Sequence, residues 1–77
     1  MDRKVQIRQF LAEHIAEHIA DEDDIFARGL VNSMFVVQLM AFLEETFDIQ
    51  IDGEDLVFEN FRSIKDVDAL VQRMTSP

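Results

Sequence analysis

Between Arg3 and Ala20 the apolar residues Ile7, Phe10, Leu11, Ile15 and Ile19 recur at three- and four-residue intervals, the repeat of one buried stripe on a helix. The spacing predicts a first helix over 3–20. The acidic cluster Asp21-Glu22-Asp23-Asp24 closes it, and the chain then reads as a long loop to Asn32, anchored by Ile25, Phe26 and Leu30. Loops of this length inside a compact domain are often functional. A second helix is predicted from Ser33 to about Phe47, with Asn32 or Ser33 as the capping side chain. Val36, Leu39, Met40, Leu43 and Phe47 are its core face; Met34, Val37 and Ala41 lie on another face, either open to a partner or packed under the long loop. Ile49-Gln50-Ile51 reads as an extended connector and Asp52-Gly53 as a turn. A short third helix is expected over Glu54 to Glu59, around Leu56, Val57 and Phe58, ending near Asn60. In the last helix Ser63 and Asp66 form a capping box with Asp in place of Glu, and Ile64, Val67, Leu70, Val71 and Met74 make the buried stripe. The tail Thr75-Ser76-Pro77 is expected to fray.

These elements make one domain, residues 1–77, of the all-α class. A chain of 77 residues buries only about 60% of the surface it exposes when unfolded. It has no cysteine, so its apolar core, with seven phenylalanines, must hold the fold without disulfides or thiolate-bound metal. The net charge of −9 argues against nucleic acid, whose phosphates require clustered Lys and Arg. No Lys, Arg or His occurs between Arg28 and Arg62, whereas Glu44, Glu45, Asp48, Asp52, Glu54, Asp55 and Glu59 all do. That anionic middle is either a solvated face or a surface for basic partners. No apolar run is long enough to span a membrane, and the start has no signal-peptide core, so the protein is expected to be cytoplasmic and monomeric.

His14 and His18 stand at the i, i+4 spacing that can hold zinc on one helix face, but Ile15 occupies the place where a zinc-protease helix carries an acid, and no third ligand is evident. Exposed helix histidines are the simpler reading. The acidic run Asp21 to Asp24 lacks the alternating ligands, central glycine and closing glutamate of a calcium loop. Nothing marks a phosphate-binding glycine loop or a nucleophile with its base, so no catalysis is expected from the chain itself. Ser33 is left as a hydroxyl at the head of a helix with no base nearby in sequence. It is either an ordinary cap or a handle for another enzyme's active site.

The segment Asp24-Ile25-Phe26-Ala27-Arg28-Gly29-Leu30-Val31-Asn32-Ser33-Met34, the Glu44-Glu45 pair and Asn60-Phe61-Arg62-Ser63-Ile64 resemble the acyl and peptidyl carrier proteins, with a likeness over nearly the whole chain. The resemblance implies a four-helix bundle with a short third helix. It implies that Ser33 takes 4'-phosphopantetheine from coenzyme A through a phosphopantetheinyl transferase, and that the arm holds an acyl group as a thioester while acyl-loading enzymes, acyl-modifying enzymes and acyltransferase or synthase modules act on it. It also implies partner contacts at Asn32, Met34, Val37, Gln38, Ala41, Glu44 and Glu45.

The chain departs from the commonest family pattern at Asn32, Phe35 and Gln38, where acids are usual. The head of the second helix has lost charge, which favours a narrower and more apolar partner set. The string Gly29-Leu30-Val31-Asn32-Ser33-Met34-Phe35 is similar to discrete carriers that build polyketide extender units of the methoxymalonyl or aminomalonyl type, as used in antibiotic biosynthesis. The alternatives are a D-alanyl or aminoacyl carrier, whose Ser-Met attachment site is similar, and a helical adaptor without a prosthetic group.

Overall fold

Asp2 starts the fold by accepting the Lys4 backbone N–H at 3.2 Å, an N-cap that launches α1, Arg3–His14. The structure is a computed structural model that describes residues 2–75. α2 spans Ser33–Phe47 and α3 spans Ile64–Thr75. Single 3-10 turns lie between them at Gly53–Asp55 and Phe58–Asn60. The described residues hold no strand. The chain is all-α, with three α-helices where a four-helix bundle was expected.

α1 ends six residues before the expected boundary. Ile15 is extended, with φ −123° and ψ 116°, yet Ile15 and Ile19 are both buried. The four-residue spacing that fits a helical stripe also fits one side of an extended strand, and β-branched side chains tolerate that backbone well. Two forces favour the early stop. Glu17 and the acids from Asp21 onward would sit at the negative end of a longer helix. Arg8 also draws the outgoing chain back along α1: its guanidinium donates to the Ile19 carbonyl at 2.7 Å and binds the Asp21 carboxylate. The consequence for His14 and His18 is that they no longer share a helix face: His14 closes α1 and His18 lies in the extended segment.

The expected short helix over 54–59 is replaced by the two 3-10 turns. Asp52, Gly53 and Asp55 are poor helix formers, and the adjacent acids Glu54 and Asp55 repel one another. The segment is instead tied by side chains, for Asn60 Nδ2 donates to the Asp55 carbonyl at 2.8 Å and Arg73 donates to Asn60 Oδ1 at 3.0 Å. Residues 48–52 form the extended connector. Asp48 adopts the left-handed conformation at φ 55° to end α2, and the Ile51 N–H donates to Glu44 Oε2 at 2.9 Å.

The capping box forms as its sequence predicts. The Asp66 N–H donates to Ser63 Oγ at 3.1 Å and Ser63 Oγ–H donates to the Asp66 carboxylate at 2.6 Å, which satisfies the buried Ser63 hydroxyl. The core lies where the helices meet: Ile7 and Leu11 of α1, Leu39 and Leu43 of α2, and Ile64, Val67, Leu70 and Val71 of α3. Phe35 joins them, whereas Val36, Met40, Phe47 and Met74 are only half-buried. Arg3 Nε donates to Asp68 at 3.0 Å and links α1 to α3 across their exposed edge. Thr75 closes α3; the remaining tail residues, Ser76 and Pro77, lie outside the described residues.

Candidate functional site

The loop leading to Ser33 lacks regular structure but is held at several points. Its centre, Ile25, is buried, and the Ile25 N–H donates to the Arg62 carbonyl at 2.8 Å. Asp24 Oδ1 accepts the Phe26 and Ala27 N–H groups at 3.0 and 2.9 Å, an Asx turn that bends the chain without help from its neighbours. Gly29 follows at φ 71°, a conformation that costs glycine nothing and a side-chain-bearing residue about 1–2 kcal/mol. Arg28 donates to Asp23 at 3.0 Å and lies 3.7 Å from Glu17. These contacts deliver the chain to α2 in one path.

Asn32, rather than Ser33, caps α2: the Phe35 N–H donates to Asn32 Oδ1 at 3.2 Å. Ser33 is exposed at the first helical position, and its hydroxyl has no hydrogen-bond partner among the described residues. Beside it opens a groove of about 430 Å³ with Asn32 and Ser33 at one edge. Phe26, Val36, Phe58 and Phe61 line the groove, and the Phe26 and Phe58 rings meet at 5.0 Å across it. Leu56, Val57 and Phe58 are 44–50% exposed, so the 3-10 segment offers an apolar surface to solvent. Its aromatic contribution was not legible in the sequence, because Phe26 and Phe58 are distant in the chain and meet only through the fold.

The other expected site residues fall into two groups. Met34 and Val37 are 65% and 61% exposed, and Gln38, Ala41 and Glu45 are exposed with them. At 100° per residue these five make one stripe of α2. Of the two readings of Met34, Val37 and Ala41, the open face is the one observed. Glu44 is different: half-buried, it uses one carboxylate oxygen to hold the connector through Ile51. Phe35, which stands where the family usually has an acid, points inward, its ring 6.0 Å from Phe10. The loss of charge at this position is therefore also a gain of core.

An exposed, unbonded hydroxyl at a helix head is accessible to a second enzyme, and the apolar groove beside it suits a group with an extended apolar part. The residues present thus fit a covalently attached arm. Comparison with known sequences agrees. Residues 6–71 match the family described as "Phosphopantetheine attachment site". The chain is 46% identical over 52 residues to the D-alanyl carrier protein of Leuconostoc mesenteroides subsp. mesenteroides, an alignment covering 65% of this chain and 67% of that one. It is 44% identical over 54 residues to the aminoacyl carrier protein of Agrobacterium fabrum, covering 70% of this chain and 64% of the relative. It is 38% identical over 53 residues to a D-alanyl carrier protein of Lactobacillus delbrueckii subsp. bulgaricus, covering 66% of each. The matches therefore span about two thirds of the relatives' lengths. Members of this family are carriers that other enzymes act upon, and the group they bear is covalent 4'-phosphopantetheine. On the match across most of its length, the chain belongs to the phosphopantetheine attachment-site family of carrier proteins.

Proposed function

We infer that the protein carries a small aminoacyl group, of the D-alanyl type, on a phosphopantetheine arm joined to Ser33. The observation that carries this reading is the uncommitted Ser33 hydroxyl at the head of α2, in a chain whose relatives named above are D-alanyl and aminoacyl carriers. The arm supplies a terminal thiol that holds the cargo as a thioester. This chain's own residues present and shelter it: Asn32 fixes the helix head so that Ser33 faces outward, and Phe26, Val36 and Phe58 offer the apolar wall beside it.

Partner enzymes read the stripe of Met34, Val37, Gln38, Ala41 and Glu45, flanked by Asn32, with Glu44 contributing from its edge. The stripe is apolar at the attachment end and acidic at the far end, so a partner with an apolar contact and a basic rim fits it.

A polyketide extender-unit carrier is the second reading, and the specific observation in its favour is the string Gly29-Leu30-Val31-Asn32-Ser33-Met34-Phe35, with Asn32 where D-alanyl carriers usually have Asp. Two steps separate the readings. Incubation with coenzyme A and a phosphopantetheinyl transferase should add one arm to the wild type and none to a folded Ser33→Ala variant, by intact mass. The modified protein is then offered to a D-alanine-activating ligase or to a loading enzyme for three-carbon glycolytic acyl units. Charging with D-alanine supports the first reading, charging only with the glycolytic unit supports the second, and an unmodifiable wild type removes both in favour of an adaptor.

A further inference from the structure

Apart from Val5, the large exposed hydrophobics among the described residues are Met34, Val37, Leu56, Val57 and Phe58, and they flank Ser33 on two sides. At 100° per residue Ser33 falls between Val36, on the groove side of α2, and Val37 and Met34 on the open stripe. On the other wall of the groove Leu56, Val57 and Phe58 line the same space as Ser33 and are still 44–50% exposed. Their backbone is fixed. The Asp55 N–H donates to the Asp52 carbonyl at 2.9 Å and the Leu56 N–H to the Gly53 carbonyl at 3.1 Å, Asn60 holds the Asp55 carbonyl, and Phe61 is buried. An apolar patch held outward in this way has no cover within the bare protein.

The patch carries its own charges. Glu54 and Asp55 precede it in the chain and Glu59 follows it directly, and among the described residues none of their carboxylates enters an ion pair or accepts a hydrogen bond. Every ion pair found there joins groups within 3–28 or 62–68. An apolar centre with an uncompensated acidic border repels anionic surfaces and fits a protein surface with an apolar centre and a Lys or Arg border. An enzyme that brings coenzyme A to Ser33 has to hold that molecule's phosphates, and so carries such cations close to the attachment point.

We propose that Leu56, Val57 and Phe58, bordered by Glu54, Asp55 and Glu59, dock the enzyme that modifies Ser33 while the carrier is bare, and that loading takes this dock away. The enzyme then straddles Ser33, with the α2 stripe on one side and the 3-10 patch on the other. Because the patch is also a wall of the groove beside Ser33, a joined arm competes with the enzyme for the same apolar surface. The loaded carrier is thereby released and the bare one retained. The proposal rests on the reading of Ser33 as the attachment point.

The test titrates a phosphopantetheinyl transferase, without coenzyme A, into bare and into loaded carrier. The bare wild type should bind about ten-fold more tightly than the loaded one. Val57→Ser should weaken bare binding about five-fold, by the lost burial of one half-exposed side chain, and leave loaded binding unchanged, so that the ratio falls to about two. Glu59→Gln, a surface change, should weaken bare binding at low salt and flatten its salt dependence. Equal affinities of bare and loaded wild type overturn the proposal, and so does a Val57→Ser carrier that binds like the wild type. A further measurement needs no variant: the backbone amide signals of the bare wild type are followed as transferase is added. Movement of residues 56–59 together with Met34 and Val37 supports the dock, whereas a formed complex that moves only α2 overturns it. If coenzyme A and transferase never modify the wild type, the reading of Ser33 fails and the proposal with it; if the wild type is modified while residues 56–59 stay silent, only the proposal fails.

Discussion

The two ends of this molecule are stabilised in different ways. Where α1, α2 and α3 meet, Ile7, Leu39, Leu43, Ile64 and Val71 are fully buried and the backbone is regular helix. In the segments around Ser33, from Ile15 to Asn32 and from Asp48 to Asn60, the backbone is irregular and held by individual hydrogen bonds: Asp24 to Phe26 and Ala27, Ile25 to Arg62, Glu44 to Ile51 and Asn60 to Asp55. The packed end supplies most of the buried core; the bonded end adds Ile15, Ile19, Ile25 and Ile51 to it and takes the rest of its shape from hydrogen bonds, while Met34, Val37 and Phe58 stay open for others to touch. A small carrier needs both, because a chain that buried its whole apolar surface would have no face to present.

The contrast can be broken most forcefully at the packed end. Leu39→Ala should cost about 2–5 kcal/mol, since the site is fully enclosed and the cavity cannot collapse easily. Urea unfolding monitored by circular dichroism reads it, and a loss below about 1 kcal/mol would mean that the three-helix junction is not the source of stability. At the bonded end Asn32→Ala removes one helix cap and should cost about 0.5–2 kcal/mol by the same assay. Asp48→Gly works in the opposite direction. It relieves a left-handed residue at φ 55° and should stabilise by up to about 1 kcal/mol, seen as a raised melting temperature. Phe58→Ala should change stability by only about 0.5 kcal/mol, because the ring is half exposed, while widening the groove beside Ser33. A large loss of stability in that variant would show that the 3-10 segment belongs to the core after all.

What the sequence disclosed follows the same division. The boundaries of α2, the Ser63–Asp66 box and the α3 stripe of Ile64, Val67, Leu70 and Val71 were legible because each rests on local chemistry or a single periodicity. The end of α1 was not, because Ile15 and Ile19 have a spacing that a helix and an extended chain share, and the deciding contacts come from Arg8, far back in the helix. The missing short helix is a related case. Leu56, Val57 and Phe58 read as the middle of a short helix, but Gly53 and the aspartates before them disfavour it, and Asn60 ties the segment down differently. The motif around Ser33 singled it out as a candidate handle, and the structure leaves that residue exposed. That Asn32 alone caps the helix, that Glu44 serves the connector and that Phe35 is core depended on where neighbouring elements pack, which no local pattern encodes.

Division of labour between two adjacent residues has a further consequence for the working life of the protein. Because the amide of Asn32 closes the top of α2, esterifying the next side chain takes away no bond on which the helix depends. On the proposed attachment at Ser33, the bare and the loaded forms should therefore melt alike, and repeated charging and discharging would leave the scaffold undisturbed.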